Sequence, residues 1–279
     1  IALTANISGA ANTAVGRNAL GANTTADNNV AVGEGALESN TEGHSNTALG
    51  SKAADSLVDG DENTIVGHGA LDGGTGVHGN TAVGTDTMGS ASYAASYNTA
   101  VGYNAMLLAT SAEGITAIGH QCLDGLTTGS YNTGLGAVAL TACEGGGKHT
   151  ALGYGALKDQ TGGEENTAVG YLAGHNITTA SGNVAMGQEA LGAQSGNFNV
   201  AIGRESLNDC TAGDNVAVGK AALDTLNSGT RNVGIGKVAG DLLTTGNDNV
   251  LIGSNAGDNV VSGSQNVCIG TDTSLSSSS

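Results

Sequence analysis

No proline and no tryptophan occur in the 279 residues, phenylalanine occurs once, and Lys and Arg together number 8 against 25 Asp and Glu. The missing large aromatics exclude a thick conventional core, because the 39 % apolar fraction is largely Ala and Val, which bury little surface each. Without proline a Gly-rich chain cannot be collagen, and regularly placed Val and Ala set it apart from generic disordered chains. The shortage of cations leaves a net charge of −17 and argues against nucleic-acid binding, since nothing neutralises phosphates. No apolar run approaches the roughly 20 residues that span a bilayer, so no membrane insertion is expected. The start, Ile1-Ala2-Leu3-Thr4, has neither an initiator Met nor a charged leader, as expected of a processed or excised piece.

What the chain has is 48 Gly and a repeat. The pentapeptide Asn12-Thr13-Ala14-Val15-Gly16 recurs sixteen times, spaced by 17 residues except for one step of 18 (80 to 98) and two of 16 (183 to 199 to 215). Counting the first residue as position zero, that position is Asn12, Asn29, Asn46, Asn63, Asn80, Asn98, Asn132, Asn166, Asn183, Asn199, Asn215, Asn232, Asn249 and Asn266, with Ile115 and His149 as the two exceptions. Position four is always glycine: Gly16, Gly33, Gly50, Gly67, Gly84, Gly102, Gly119, Gly136, Gly153, Gly170, Gly187, Gly203, Gly219, Gly236, Gly253 and Gly270. A column that admits only Gly marks a corner, where φ is positive or a backbone approaches too closely for a Cβ. Position one is Thr or Val, position two mostly Ala, and position three always aliphatic, the alternation of a short strand.

A second apolar pair follows at positions seven and eight, as in Ala19-Leu20 and Ala156-Leu157, and then a polar stretch with turn chemistry, as in Thr127-Thr128-Gly129. Each unit is therefore expected to hold two brief strands and two turns. It cannot bury its apolar residues alone, so it must stack as one coil of an all-β, parallel β-solenoid. Residues 1–11 read as a partial leading coil, 12–270 as the solenoid and 271–279 as a Ser-rich end or linker. The Asn column predicts a ladder of stacked amides, interrupted with a change of corner geometry at Ile115 and His149. At about 4.8 Å per coil, sixteen coils predict a rod on the order of 75 Å long. With the aliphatic of position three and the Leu inside, the small-residue face is left for another copy, and a homotrimer is expected.

The units Asn166-Thr167-Ala168-Val169-Gly170 and Asn199-Val200-Ala201-Ile202-Gly203 resemble the head repeats of trimeric autotransporter adhesins. The fuller form, His149 to Leu157 with Tyr154 after the corner, is similar to repeats of bacteriophage tail-fibre and other fibrous surface proteins. The resemblance runs from Asn12 to Gly270 and implies a left-handed parallel β-roll assembled as a trimer. The repeats are longer than is usual in the adhesins, and the anchor, stalk and tip of a complete adhesin have no counterpart in these residues.

Candidates for chemistry are sparse. His44, His68, His78, His120, His149 and His175 fall in different columns or several coils apart, so no catalytic residue and no metal site is expected. Cys143 and Cys210 share position eleven but lie about four coils apart, beyond disulfide reach, while Cys122 and Cys268 replace small buried residues. Acidic loops such as Asp59-Gly60-Asp61-Glu62, Glu164-Glu165 and Asp248 lack a Ca²⁺ pattern, do not recur in one column, and read as a solvated, self-repelling surface. No cofactor is expected. Thr runs through position one from Thr47 to Thr167 before yielding to Val, an exchange that suggests a partly buried site. The reading is a non-catalytic, extracellular fibre segment of a phage tail fibre or bacterial surface appendage, self-associating and open to a host glycan or receptor. The alternative is a module that recognises ice or glycan through a flat Thr face, with Tyr154 and Tyr171 as a possible sugar contact.

Overall fold

The computed structural model describes residues 1–90 and 92–275; the Ser276 to Ser279 run expected as linker lies outside the described residues. It contains sixteen parallel three-residue strands and, among the described residues, no helix, forming a β-solenoid of about fifteen turns. Two compact units are present, Ile1–Gly145 and Gly146–Ser279. The first carries β1 (Thr13–Val15) to β8 (Thr133–Leu135) and the second β9 (Thr150–Leu152) to β16 (Val267–Ile269).

Within each unit every strand pairs in parallel with the next, and the register places like positions side by side: Thr13 beside Val30, Ala14 beside Ala31, Val15 beside Val32. The Thr13 N–H donates to the Asn29 carbonyl and the Gly33 N–H to the Val15 carbonyl, both at 2.8 Å, so each coil spends its backbone polar groups on its neighbours. Coils of unusual length keep this register, with Thr81 beside Thr99 and Val184 beside Val200. The extra or missing residue is absorbed in the turns.

The corner Gly ends each strand. All sixteen have φ between 129° and 144°, outside the range that L-residues favour, and a Cβ on Gly119 or Gly219 would collide with the carbonyl of Gly136 or Gly236 in the next coil. Both physical reasons for an all-Gly column therefore hold at once.

Two expectations need correction. The Ala-Leu pair does not form a second strand. It lies in a turn whose position-eight residue is left-handed, with φ 49° at Leu20, 51° at Leu37 and 49° at Leu157. A left-handed L-residue costs roughly 1–2 kcal/mol, and burying a Leu side chain returns about 1.5–3 kcal/mol, which makes the bend tolerable only because these Leu are fully buried. The strand also faces the other way. Ala at position two is the buried residue, while positions one and three point outward: Val15 is 58 % and Leu49 48 % exposed. The width of the coil explains this, since an interior already filled by Leu at position eight admits only a small side chain from the strand.

Exceptions inside the core compensate one another. Gly stands at position eight at Gly174, Gly240 and Gly257, and at the last two the space is taken by Leu251, which stands where most other strands carry Ala. Residues 271–275 continue the stack, with the Asp272 N–H donating to the Ser254 carbonyl at 2.8 Å. Leu251→Ala should leave a void against Gly240 and Gly257 and lower unfolding free energy by about 2–5 kcal/mol in denaturant titration; an unchanged midpoint would refute this packing.

Candidate functional site

The Asn column is a set of clamps. Asn29 Oδ1 accepts the backbone N–H of Asn46 at 2.8 Å, and its Nδ2 donates to the Gly43 carbonyl at 2.8 Å. In the second unit Asn183 Oδ1 accepts from the Asn199 N–H at 2.8 Å, and Asn232 Nδ2 donates to Gly246 at 2.8 Å. Asn29 and Asn232, like most of the column, thus pin both ends of the turn that leads into the next Asn, whereas Asn183 Nδ2 turns back to Asn166 Oδ1 at 3.1 Å. Direct amide-to-amide bonds also occur, as from Asn63 to Asn46 at 3.0 Å and Asn249 to Asn232 at 2.9 Å, but the side-chain-to-backbone bonds are the recurring element.

The expected change of corner geometry at Ile115 and His149 does not occur. Their corner glycines, Gly119 and Gly153, have φ of 142° and 132°, and the residues before them, Gly114 and Lys148, are left-handed like the rest of that column. The Ile115 N–H still reaches Asn98 Oδ1 at 2.8 Å, so Ile115 loses only its own downward clamp. His149 copies the amide: its Nδ1 accepts the Asn166 N–H at 3.2 Å, which requires a neutral ring. Burial pushes its pKa down to about 4, with the Gly163 carbonyl and Glu164 pulling the other way.

Tyr93 is a component that periodicity concealed. It lies in the 18-residue coil, is almost wholly buried, and inserts its hydroxyl into the Asn column, accepting from Asn98 Nδ2 at 2.8 Å and donating to Asn80 Oδ1 at 3.2 Å. The longer spacing was the visible signal of an inserted residue.

Four surfaces remain as sites for recognition. The outward strand face carries only Thr, Val, Leu, Ile and Met at positions one and three, with no charge in any strand. Of the eight Thr from Thr47 to Thr167, Thr47, Thr64, Thr133 and Thr150 are exposed and Thr81, Thr99, Thr116 and Thr167 half-buried, so the partly buried site suggested by the exchange with Val holds for half of them. After the corner stand the exposed residues of position five, where Tyr103 stacks on His120 in the first unit and Tyr154 on Tyr171 in the second, with centroids 5.6 and 5.5 Å apart. Before the Asn, Tyr97, Tyr131 and Phe198 each lie against a glycine of the preceding coil (Gly79, Gly114 and Gly182), a Gly-beneath-ring pairing that the sequence already carries one coil length apart.

The fourth surface is a groove of about 430 Å³ in the second unit, floored by Gly192 and Ala193 of a 16-residue coil and edged by His175, Glu189, Asn208 and Asp209. Among the described residues no group of three or more His, Cys, Asp and Glu is gathered for a metal. Acidic residues do recur in one column, contrary to expectation: Glu38, Asp55 and Asp72 occupy position nine of successive coils, as do Asp224, Asp241 and Asp258. Burial, with repulsion from Asp209, Glu205 and Asp241, pushes Asp224 up to about 6. The four Cys are buried thiols outside any disulfide, and burial pushes Cys122 up to about 12 and Cys210 to about 11.

No protein-family model and no curated protein matches the chain. Among the described residues no helix is long and apolar enough to cross a membrane.

The neutral His149 gives a pH prediction with a definite sign. A His with pKa near 6.5 when unfolded and about 4 when folded binds more protons in the unfolded state between those values, so its contribution is full above pH 6.5 and declines as pH falls to about 4. Asp224, raised on folding, acts oppositely over part of that range and is common to both proteins. His149→Asn, which restores the clamp residue, should therefore gain on the parent by up to about 3 kcal/mol between pH 6.5 and 4. Parallel stability curves for the two proteins would contradict the assignment.

Proposed function

We propose that the chain is a structural segment of an extracellular fibre, the shaft or adhesive region of a phage tail fibre or bacterial surface appendage, without catalysis, and that copies associate as a homotrimer. The observation that carries this reading is the outward strand face. In a chain of charge −17, every strand presents two uncharged, largely aliphatic side chains to solvent, in register from coil to coil. A contiguous apolar surface of this kind is characteristic of an interaction site. A standard interface takes roughly 800 Å² from each partner, and a face that repeats in every coil extends to meet it.

The face now assigned to self-association is the aliphatic one, not the small-residue face that the sequence pattern suggested. The acidic remainder of the surface favours solubility and disfavours lateral sticking. The resemblance to adhesin heads and tail-fibre repeats supports the same reading and the cell-surface or virion location that goes with it.

A second reading is favoured by one observation, the exposure of Thr47, Thr64, Thr133 and Thr150: a flat Thr-bearing face for ice or a crystalline glycan. Thermal hysteresis in dilute solution would support it.

Mass measurement in solution tests the main proposal. The parent should sediment as a trimer, and Met186→Lys with Ile235→Lys, both outward on strands, should shift it to monomer with an unchanged circular dichroism spectrum. A parent that is monomeric at tens of micromolar would overturn the proposal.

A further inference from the structure

We propose that Tyr154, Tyr171, Gln188, Arg204, Lys220 and Lys237 form a linear binding edge for an extended acidic polysaccharide. This deepens the adhesive part of the function proposed above and rests on it. All six residues occupy position five, directly after the corner glycines Gly153, Gly170, Gly187, Gly203, Gly219 and Gly236, on six successive coils of the second unit. All six are exposed. Parallel strand pairing in register sets their spacing at about 4.8 Å along the stack, so the column repeats with a fixed period, as a polymer ligand does.

The cations are the first anomaly. Three of the chain's 8 Lys and Arg stand in consecutive coils of this one column. Like charges on neighbouring coils repel, and a chain with 25 Asp and Glu has ample means to neutralise them. Elsewhere it does so: Arg231 is paired with Asp248, and Lys148 with Glu164 and Glu165. The same column pairs Arg17 with Glu34 in the first unit, but of the three cations in the second unit only Arg204 has a partner, Glu205 at 3.2 Å, and among the described residues no carboxylate lies within ion-pair distance of Lys220 or Lys237. Self-repulsion left uncompensated inside an acidic protein points to an external anion as the compensating group.

The neutral half of the column selects the class of anion. Tyr154 and Tyr171 are stacked at 5.5 Å and 13°, which orders the two phenols side by side, and among the described residues neither hydroxyl nor the Gln188 side-chain amide has a hydrogen-bond partner. A row of ordered hydroxyl and amide groups that both donate and accept suits the hydroxyl-rich face of a sugar chain. The adjoining Arg and Lys suit its carboxylates or sulfates. A single-stranded nucleic acid is the competing polyanion, with phosphates for the three cations and bases for the Tyr rings; the Tyr hydroxyls and the Gln188 amide are what favour the hydroxyl-rich sugar chain.

The test uses the full chain and polygalacturonate, with neutral dextran and single-stranded oligothymidylate as comparisons, read by biolayer interferometry at low and high salt. Polygalacturonate should bind at low salt and be released at high salt, dextran should not bind, and oligothymidylate should bind at least tenfold more weakly. Lys220→Glu with Lys237→Glu should reduce polygalacturonate binding more than tenfold, and Tyr154→Ala with Tyr171→Ala severalfold, with unchanged thermal unfolding in both. Absence of polygalacturonate binding, binding unaffected by either pair of substitutions, or equal binding of oligothymidylate would each overturn the proposal. Mass measured on the same samples separates the two claims: a trimer that fails to bind removes the edge and leaves the fibre, and a monomer that binds removes the fibre and leaves the edge.

Discussion

Everything in this molecule depends on how closely consecutive coils stack at the corner after the strand. There the backbone leaves the β region at a φ near +140°, and the carbonyl of one corner glycine occupies the space a Cβ would need on the glycine of the preceding coil. That contact forbids any other residue, fixes the axial spacing, and sets each strand in register with the next. Register then does the remaining work: it turns each sequence position into a column, so that a residue type useful once is useful in every coil.

The columns divide the tasks between them. Asn at position zero clamps the next turn through both its amide nitrogen and its oxygen, holding a bend that a chain without proline does not stiffen by ring closure. Ala and Leu fill a narrow interior whose volume is shared, as the exchange of Leu251 against Gly240 and Gly257 demonstrates. The left-handed residues at position eight and before each Asn close a 17-residue loop that contains only three residues of strand. What is left outside is an uncharged strand face bordered by position five, the surface on which the proposed self-association and glycan recognition rest.

The periodicity made the fold class, the strand at positions one to three and the glycine corner legible, because these columns are nearly invariant within the chain. The second bend was not legible, since Leu20 or Leu157 in a left-handed conformation violates local preference and is held there only by burial. The direction of the strand was not legible for a related reason: alternation defines two faces and does not say which is inside, and the wider aliphatic residues of position three suit a core that the Leu of position eight already fills. Tyr93 and the position-nine acids were present as a lengthened spacing and as a column offset from the motif, and both are read easily only with the coil register in hand.

The central claim, that in-register stacking with the Asn clamps holds the coils together, is tested most directly by native-state amide hydrogen exchange. The account predicts that the backbone N–H groups of Asn46, Asn63, Asn199 and Asn215, each bonded to the preceding Asn side chain, exchange as slowly as the strand amides of Thr47 and Val200, giving protection with a period of about 17 residues. Exchange of those Asn amides at the rate of unbonded turn amides, with the strand amides still protected, would contradict it.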